Sequence, residues 1–175
     1  LKKGKVVACP TDTVYGFLAD AMNAKGVRKI FQIKGREKGK PIPIFVKDIA
    51  MAKSLATIGK SQQAFLEKVW PGKVTAVLES KNKLPKELGT VKTVGLRQPK
   101  YKLLNLLLEA YDKPLTGTSA NLSGTPSLSE SKEIVTQFQD RKYTPDLVLD
   151  AGVLPKSKSS KVVDITGAKQ IILRK

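Results

Sequence analysis

Short β-branched segments and helix-period segments alternate along the whole of this chain, and neither kind dominates any long stretch. That alternation limits the fold more than any other feature. Strands separated by helices must pair with partners distant in sequence, and the helices must then cover the resulting sheet. Gly4 to Pro10 reads as a strand ending at a turn, and the TDTVYG segment after it carries the polar residues of a loop. Asn23 stands as an N-cap before Val27, Ile30 and Phe31, whose helical spacing runs to Gly35. Ile42 to Val46 is the next strand, and Asp48 and Ser61 are expected to cap two helices separated near Gly59. Trp70, Pro71 and Gly72 form a strong break. Lys73 to Leu78 and Thr93 to Leu96 read as strands, joined by a lysine-rich connection containing Pro85 and Gly89. A leucine-rich helix from about Tyr101 to Tyr111 closes at Pro114, and Leu115 to Gly124 form a small-residue turn. A further helix is expected behind a capping box of Ser127 and Glu130, followed by short strands around Leu147, Val162 and Ile171. The pattern predicts an α/β fold with a mixed sheet, built as one domain over residues 1–175.

A chain of 175 residues with 41% hydrophobic content has enough apolar material for one sizeable core. No stretch approaches the roughly 20 consecutive apolar residues that cross a bilayer, and the start lacks the h-region of a secretory signal. A soluble, cytoplasmic protein is the expectation. Leu1 is not an initiator methionine, and the last strand stops at Arg174 and Lys175, so further terminal residues are expected in the natural protein. The single cysteine, Cys9, excludes an internal disulfide framework and reads as a small buried strand residue. Histidine is absent, which excludes imidazole-based triads, His-ligated zinc and His general-base chemistry. Against 15 acidic residues stand 32 basic ones, a formal charge of +17, so polyanions such as nucleoside triphosphates and RNA lead the candidate partners.

The usual phosphate-binding signatures fail. GREKGKP at 35–41 lacks the hydroxyl and spacing of a P-loop, and no GxGxxG follows a strand. Four segments nevertheless occur in an informative order: PTDTVYG at 10–16, Lys34 and Arg36 as KxR, Ser119 and Asn121 as SxN within TSANLSG, and Ser160 in SKVVDIT. TVGLR at 93–97 and ILR at 172–174 support them. In these motifs the chain resembles the YrdC family of threonylcarbamoyl-AMP synthases over nearly its whole length.

The resemblance implies a twisted, mixed parallel and antiparallel sheet flanked by helices, with a basic concave cleft. It also implies a reaction in which L-threonine and bicarbonate or CO2 form a carbamate that attacks the α-phosphorus of ATP. Pyrophosphate leaves, and a partner complex passes the threonylcarbamoyl group to an adenosine beside the anticodon of certain tRNAs. Substrates of this kind need positive charge and oriented donors more than a proton shuttle. By the family pattern Thr11, Arg97, Gly117 and Ser160 contact threonine. Lys34 and Arg36 are the implied catalytic pair, and with Thr93, Ser119, Asn121, Ser127 and Arg174 they hold the nucleotide. A guanidinium binds carboxylate or phosphate in bidentate fashion, while a lysine acts as a point charge. Lys38 and Lys40 belong to the same basic loop. Ser127 has a second explanation as a cap. The family's usual Ser-Thr-Val-Val-Asp reads here with Lys161 in place of threonine. Mg²⁺ is expected with ATP; Asp12 and Asp164 are the acidic residues nearest the motifs, and neither is assigned as a ligand.

Two other functions compete. A non-catalytic module of the same fold would bind double-stranded RNA or tRNA with steep salt dependence and no ATP turnover. Only 6% of residues are aromatic, which argues against single-strand readout by stacking. A carbamoyl-transfer domain of the kind used in hydrogenase maturation would accept carbamoyl phosphate rather than threonine.

Overall fold

The computed structural model describes residues 1–37, 40–88 and 92–175, so the sequence expectations for Lys38 and Gly89 lie outside the described residues. In chain order the elements are β1 (Val7–Cys9), β2 (Gly16–Leu18), α1 (Ala24–Lys34), β3 (Ile44–Phe45), α2 (Ile49–Leu55) and β4 (Ala56–Thr57). They continue with α3 (Lys60–Val69), β5 (Val74–Ser80), β6 (Thr93–Arg97), α4 (Lys102–Tyr111), β7 (Leu115–Thr116) and β8 (Thr118–Ser119). α5 (Ser131–Phe138), β9 (Leu147–Val148), β10 (Lys161–Asp164) and β11 (Ile171–Arg174) complete the series.

The strands form two mixed sheets. One has the order β8-β2-β1-β9, the other β11-β10-β5-β6-β3-β7 with β4 added beside β5. β1 with β9, β10 with β5 and β3 with β6 run parallel; the remaining pairs are antiparallel. β7 lies in the second sheet and β8 in the first, so the chain changes sheets at Gly117. Two parallel neighbours far apart in sequence, β5 and β10, are what carry Ser160 back to Thr75.

Helix ends follow the sequence where the cap chemistry is unambiguous. Asn23 Oδ1 accepts from the Lys25 and Gly26 amides at 3.0 and 3.2 Å. At the other end of α1, Gly35 takes a left-handed φ of 58°, its N–H donates to Gln32 and that of Arg36 to Phe31. This paired closure needs the glycine and redirects the chain at once, so Lys34 stays on the buried helix face while Arg36 leaves it. Asp48 caps α2, its Oδ1 accepting from Met51 N–H at 2.6 Å.

Other boundaries moved. Gly59 rather than Ser61 is the N-cap of α3, because Gln62 Oε1 reaches back to the Gly59 amide at 2.8 Å and draws Ser61 into the first turn. α5 starts at Ser131 with Glu130 as its N-cap. The Glu133 carboxylate accepts from the Glu130 amide at 3.2 Å, so the box expected at Ser127 lies one turn later. The first strand is shorter than Gly4 to Pro10, since a 3₁₀ turn takes Lys2–Gly4 and Asp146 binds the Val6 amide at 2.8 Å. Ile42 to Val46 supplies only Ile44–Phe45 to the ladder, and the expected turn at Leu115 to Gly124 contains β7 and β8.

The larger core runs from Val6 to Ile165, and a smaller cluster joins Cys9, Leu18, Phe45 and Leu115 to Leu104 and Leu108 of α4. Those two leucines lie one helical turn apart, and burying each contributes about 1.5–3 kcal/mol. Burial pushes the Cys9 thiol up to about 12, which leaves it inert as a nucleophile. Among the described residues no helix is long and apolar enough to cross a membrane.

Candidate functional site

Where the two sheets meet, a cavity of about 480 Å³ opens. Thr11 and Thr13 to Gly16, in the connection leading into β2, line it from one side, and β5, β6, β10 and β11 contribute from the second sheet. The sheet crossing supplies Gly117, Thr118 and Ser119. Of the residues singled out in the sequence, Thr11, Arg36, Thr93, Arg97, Gly117, Ser119, Ser127, Ser160 and Arg174 all line this cavity. Lys34 and Asn121 do not. Three of the lining residues are arginines, and the lining contains no carboxylate among the described residues.

Each wall is built by local chemistry. Thr11 is buried, and its hydroxyl donates to the Val14 carbonyl at 2.7 Å while accepting from the Thr13 amide at 3.1 Å. The hydroxyl therefore folds its own turn. At the crossing, a Cβ on Gly117 would lie 2.7–2.9 Å from three atoms of the Phe45 ring. Only glycine lets the backbone pass there. The Arg97 guanidinium lies 5.7 Å from the centre of the same ring, so Gly117, Phe45 and Arg97 form successive layers of one wall.

Arg97 is only 3% exposed. Its Nε donates to the Gly72 carbonyl at 2.9 Å and its Nη2 to Asp12 Oδ1 at 2.6 Å. Burial holds the guanidinium below its ordinary value while Asp12 opposes the shift; the ordinary value is high enough to keep the group charged at neutral pH. Asp12 is committed to this pair, with its second oxygen accepting from the Lys100 amide at 3.2 Å. Asp164 is also occupied, since its Oδ1 accepts from the Thr166 amide and hydroxyl at 2.8 and 2.7 Å. Among the described residues no group of three or more acidic or cysteine side chains gathers to hold a metal.

Arg36 differs. Nη2 donates to the Pro41 carbonyl at 3.1 Å, but its buried Nε finds no partner among the described residues. Burial lowers its pKa. A buried, unpaired guanidinium nitrogen at the edge of a cavity is a donor waiting for an anion.

Lys34 lies behind the wall. Its ammonium donates to the Ser119 carbonyl, to the Asn121 carbonyl at 2.8 Å and to Asn121 Oδ1 at 3.3 Å. The Lys34 carbonyl accepts from Ser123 N–H at 2.8 Å. Burial, with Arg36 adding to it, pushes its pKa down to about 8. Asn121 spends its amide on the Leu122 and Thr125 carbonyls at 3.0 and 2.6 Å. These two residues thus hold the turn that presents Ser119, one step removed from the cavity.

Ser127, freed from capping by the later start of α5, lines the cavity directly. Sequence reading missed Thr75, which is 1% exposed, lines the cavity and shares a 3.0 Å hydrogen bond with the Ser160 hydroxyl. A lone hydroxyl inside the apolar run VTAVL was the available signal, because a buried polar group needs a partner. Arg174 donates through Nε and Nη2 to the Ser160 carbonyl at 3.0 and 2.8 Å, closing this side.

The Sua5/YciO/YrdC family model, described as "Telomere recombination", matches residues 1–175. A threonylcarbamoyl-AMP synthase of Pyrococcus abyssi is 31% identical over 99% of this chain and 51% of its own length. A putative threonylcarbamoyl-AMP synthase of Methanocaldococcus jannaschii is 35% identical over 98% of this chain and 79% of its own. The crystal structure of P. abyssi Sua5 complexed with L-threonine superposes with a TM-score of 0.90 at 31% identity, covering 98% of this chain and 50% of that one. The chain thus spans about half the length of the P. abyssi relative.

Proposed function

Because the chain belongs to the Sua5/YciO/YrdC family, we propose that residues 1–175 form one catalytic unit that makes L-threonylcarbamoyl-AMP from L-threonine, bicarbonate and ATP. One observation carries the reading: Thr11, Arg36, Arg97, Ser119, Ser160 and Arg174, from six separate stretches of sequence, line a single cavity. The P. abyssi protein crystallised with L-threonine supports an amino acid as one occupant.

In this reading the threonine amine attacks the carbon of bicarbonate, giving a carbamate and water. A carbamate oxygen then attacks the α-phosphorus of ATP. The bond from that phosphorus to the bridging oxygen breaks, and its electron pair leaves with pyrophosphate. Arg97 holds the threonine carboxylate, while Arg36 and Arg174 face the phosphates with Thr93, Ser119 and Ser127 as neutral donors. Gly117 and Ser160 frame the amino acid. The cavity lining offers no carboxylate or lysine among the described residues, so the ammonium proton of threonine passes to solvent before attack. The protein contributes an electropositive pocket with donors already aimed at the developing charge. With Asp12 and Asp164 committed to protein partners, Mg²⁺ would be held by the triphosphate oxygens and would supply charge neutralisation there. Lys34 and Asn121 act as positioning residues. The product serves threonylcarbamoyladenosine formation in tRNA through a transferase complex in the cytosol.

The test is pyrophosphate release by the purified chain. Release that requires threonine, bicarbonate and Mg²⁺ together supports the reading. Salt-sensitive tRNA binding with no turnover would instead identify the non-catalytic RNA-binding module, which the +17 charge favours.

A further inference from the structure

Lys161, the residue that departs from the family pattern, lies beside a second concavity. It opens β10 directly after Ser160, pairs with Val74 at the start of β5, and donates its amide to the Lys73 carbonyl at 2.9 Å. That ladder gathers two lysine-bearing segments outside the nucleotide cleft. Around them lies a hollow of about 350 Å³ lined by Lys73, Lys158, Lys161 and Lys175, with Ser157 and Ser159 between them. Ser159 also lines the main cavity, so the two spaces are neighbours.

The hollow has no Asp or Glu side chain in its lining, and none of its four lysine side chains forms an ion pair among the described residues. Elsewhere Lys5, Lys29, Lys40, Lys47 and Lys113 each find an acidic partner. Most other described lysines likewise lack an ion pair, so what sets these four apart is that they face one depression. Lys73 Nζ donates to Ser157 Oγ at 2.7 Å, which fixes one ammonium at the wall. Four like charges around one depression repel each other and raise the local potential, and a multivalent anion relieves both. Lysine meets phosphate oxygens as a point charge and needs no planar geometry. The hollow is of a size for a small phosphate-bearing anion, whereas duplex RNA spreads its charge along an extended track.

We propose that this hollow is a second anion site, separate from the nucleotide cleft, that binds inorganic pyrophosphate. Its source is either free pyrophosphate or, resting on the adenylate-forming reading above, the leaving group released next door. In the second case the site draws pyrophosphate past Ser159 and out of the cleft, opposing recapture by the adenylate.

The experiment is a pyrophosphate titration of the ¹⁵N-labelled full chain, followed by amide chemical shifts, with the cleft filled by a non-hydrolysable ATP analogue. Saturable shifts at Val74, Ser159 and Lys161 are expected. In the double variant Lys73→Gln, Lys161→Thr the dissociation constant should rise about tenfold, from two exposed charge contacts of up to about 1 kcal/mol each, with an unchanged thermal melt. Sulfate at matched ionic strength should give no saturable response. Shifts confined to the main cavity, an unchanged constant in the double variant, or equal saturation by sulfate each overturn the site. Loss of duplex RNA binding in that variant with pyrophosphate binding intact would make the patch an RNA contact instead. If the chain forms no adenylate and binds no ATP analogue, pyrophosphate alone still reports on the hollow. Continued saturation there would then leave free pyrophosphate as the ligand and remove only the leaving-group source.

Discussion

Two arginines of the cleft, Arg97 and Arg36, hold their guanidinium donors in opposite ways. Arg97 is 3% exposed, fixed by the Gly72 carbonyl and Asp12 and backed by Phe45. Arg36 is half-buried, has one bond to Pro41, and leaves its Nε unpaired among the described residues. One wall is assembled before any ligand arrives, and its charge is partly spent on Asp12. The other leaves a donor unpaired among the described residues, which under the proposed function a ligand would complete. A clamp whose position must be fixed gains from the first design, and a contact that must favour a highly charged group gains from the second. The contrast predicts that damage to the first wall registers in folding and damage to the second in binding.

The largest effect on stability should come from Arg97→Ala, which leaves the Asp12 carboxylate buried without its ion. Breaking a buried pair from one side costs about 3–5 kcal/mol, read by chemical denaturation. Asp12→Asn keeps a hydrogen-bond acceptor and should cost less, while loosening the aim of Arg97 and raising the KM for threonine. A loss below about 1 kcal/mol for Arg97→Ala would break the contrast, because the wall would not be held together by this pair.

Next in size is Lys34→Met. Removing the ammonium strands the carbonyls of Ser119 and Asn121, at about 1–3 kcal/mol for each unsatisfied group before relaxation. Stability and kcat should fall together, because the Ser119 turn loses its brace. A pH readout separates this brace from ordinary packing. The folded pKa of Lys34 lies at about 8, below its ordinary 10.5, so between those values the unfolded chain carries a proton that the folded chain lacks. Stability therefore rises with pH across that window, by up to about 1.4 kcal/mol per unit from this group. The wild-type minus Lys34→Met difference should show that slope, and a flat difference would place the ammonium in solvent.

The sequence exposed the site better than the roles within it. Cap chemistry is local, so Asn23, Gly35 and Asp48 could be read from their neighbours. The polar motifs pointed to one cavity through the resemblance to the YrdC family that PTDTVYG, TVGLR and TSANLSG carry, not through any local feature of each motif. What the chain could not reveal was which way Lys34 points. Lys34 and Arg36 are two residues apart, and the left-handed turn at Gly35 sends one inward and the other to the rim. A KxR spelling contains both but not the turn's consequence. Thr75 escaped for a similar reason, since its partner Ser160 is distant in sequence and meets it only through the parallel pairing of β5 with β10. Asp12 looked available for a metal until β6 brought Arg97 to it.

Gly117→Ala gives a smaller structural effect and tests the shared layer behind Arg97. Its new Cβ meets three Phe45 ring atoms below 3.0 Å, and overpacking of this kind costs about 1–3 kcal/mol. Arg97 lies 5.7 Å from the centre of that ring, so displacement of the ring toward it should raise the KM for threonine more than that for ATP. Equal rises would mean that Phe45 moves elsewhere.

The smallest stability change belongs to Arg36→Ala, and that smallness is what sharpens the contrast. The residue makes one hydrogen bond, to Pro41, and its Nε already lies unpaired among the described residues, so its loss should stay within about 0.5 kcal/mol. Affinity for a non-hydrolysable ATP analogue should nevertheless fall by about 1.5–3 kcal/mol, roughly 10- to 150-fold, because a charge-assisted contact to phosphate is gone. Arg36→Lys should recover part of that affinity through charge alone, but not the contact made by Nε. An Arg36→Ala protein that binds the analogue normally would take Arg36 out of the nucleotide site. One that unfolds would show instead that both arginines serve the fold, and the two walls would no longer differ in kind.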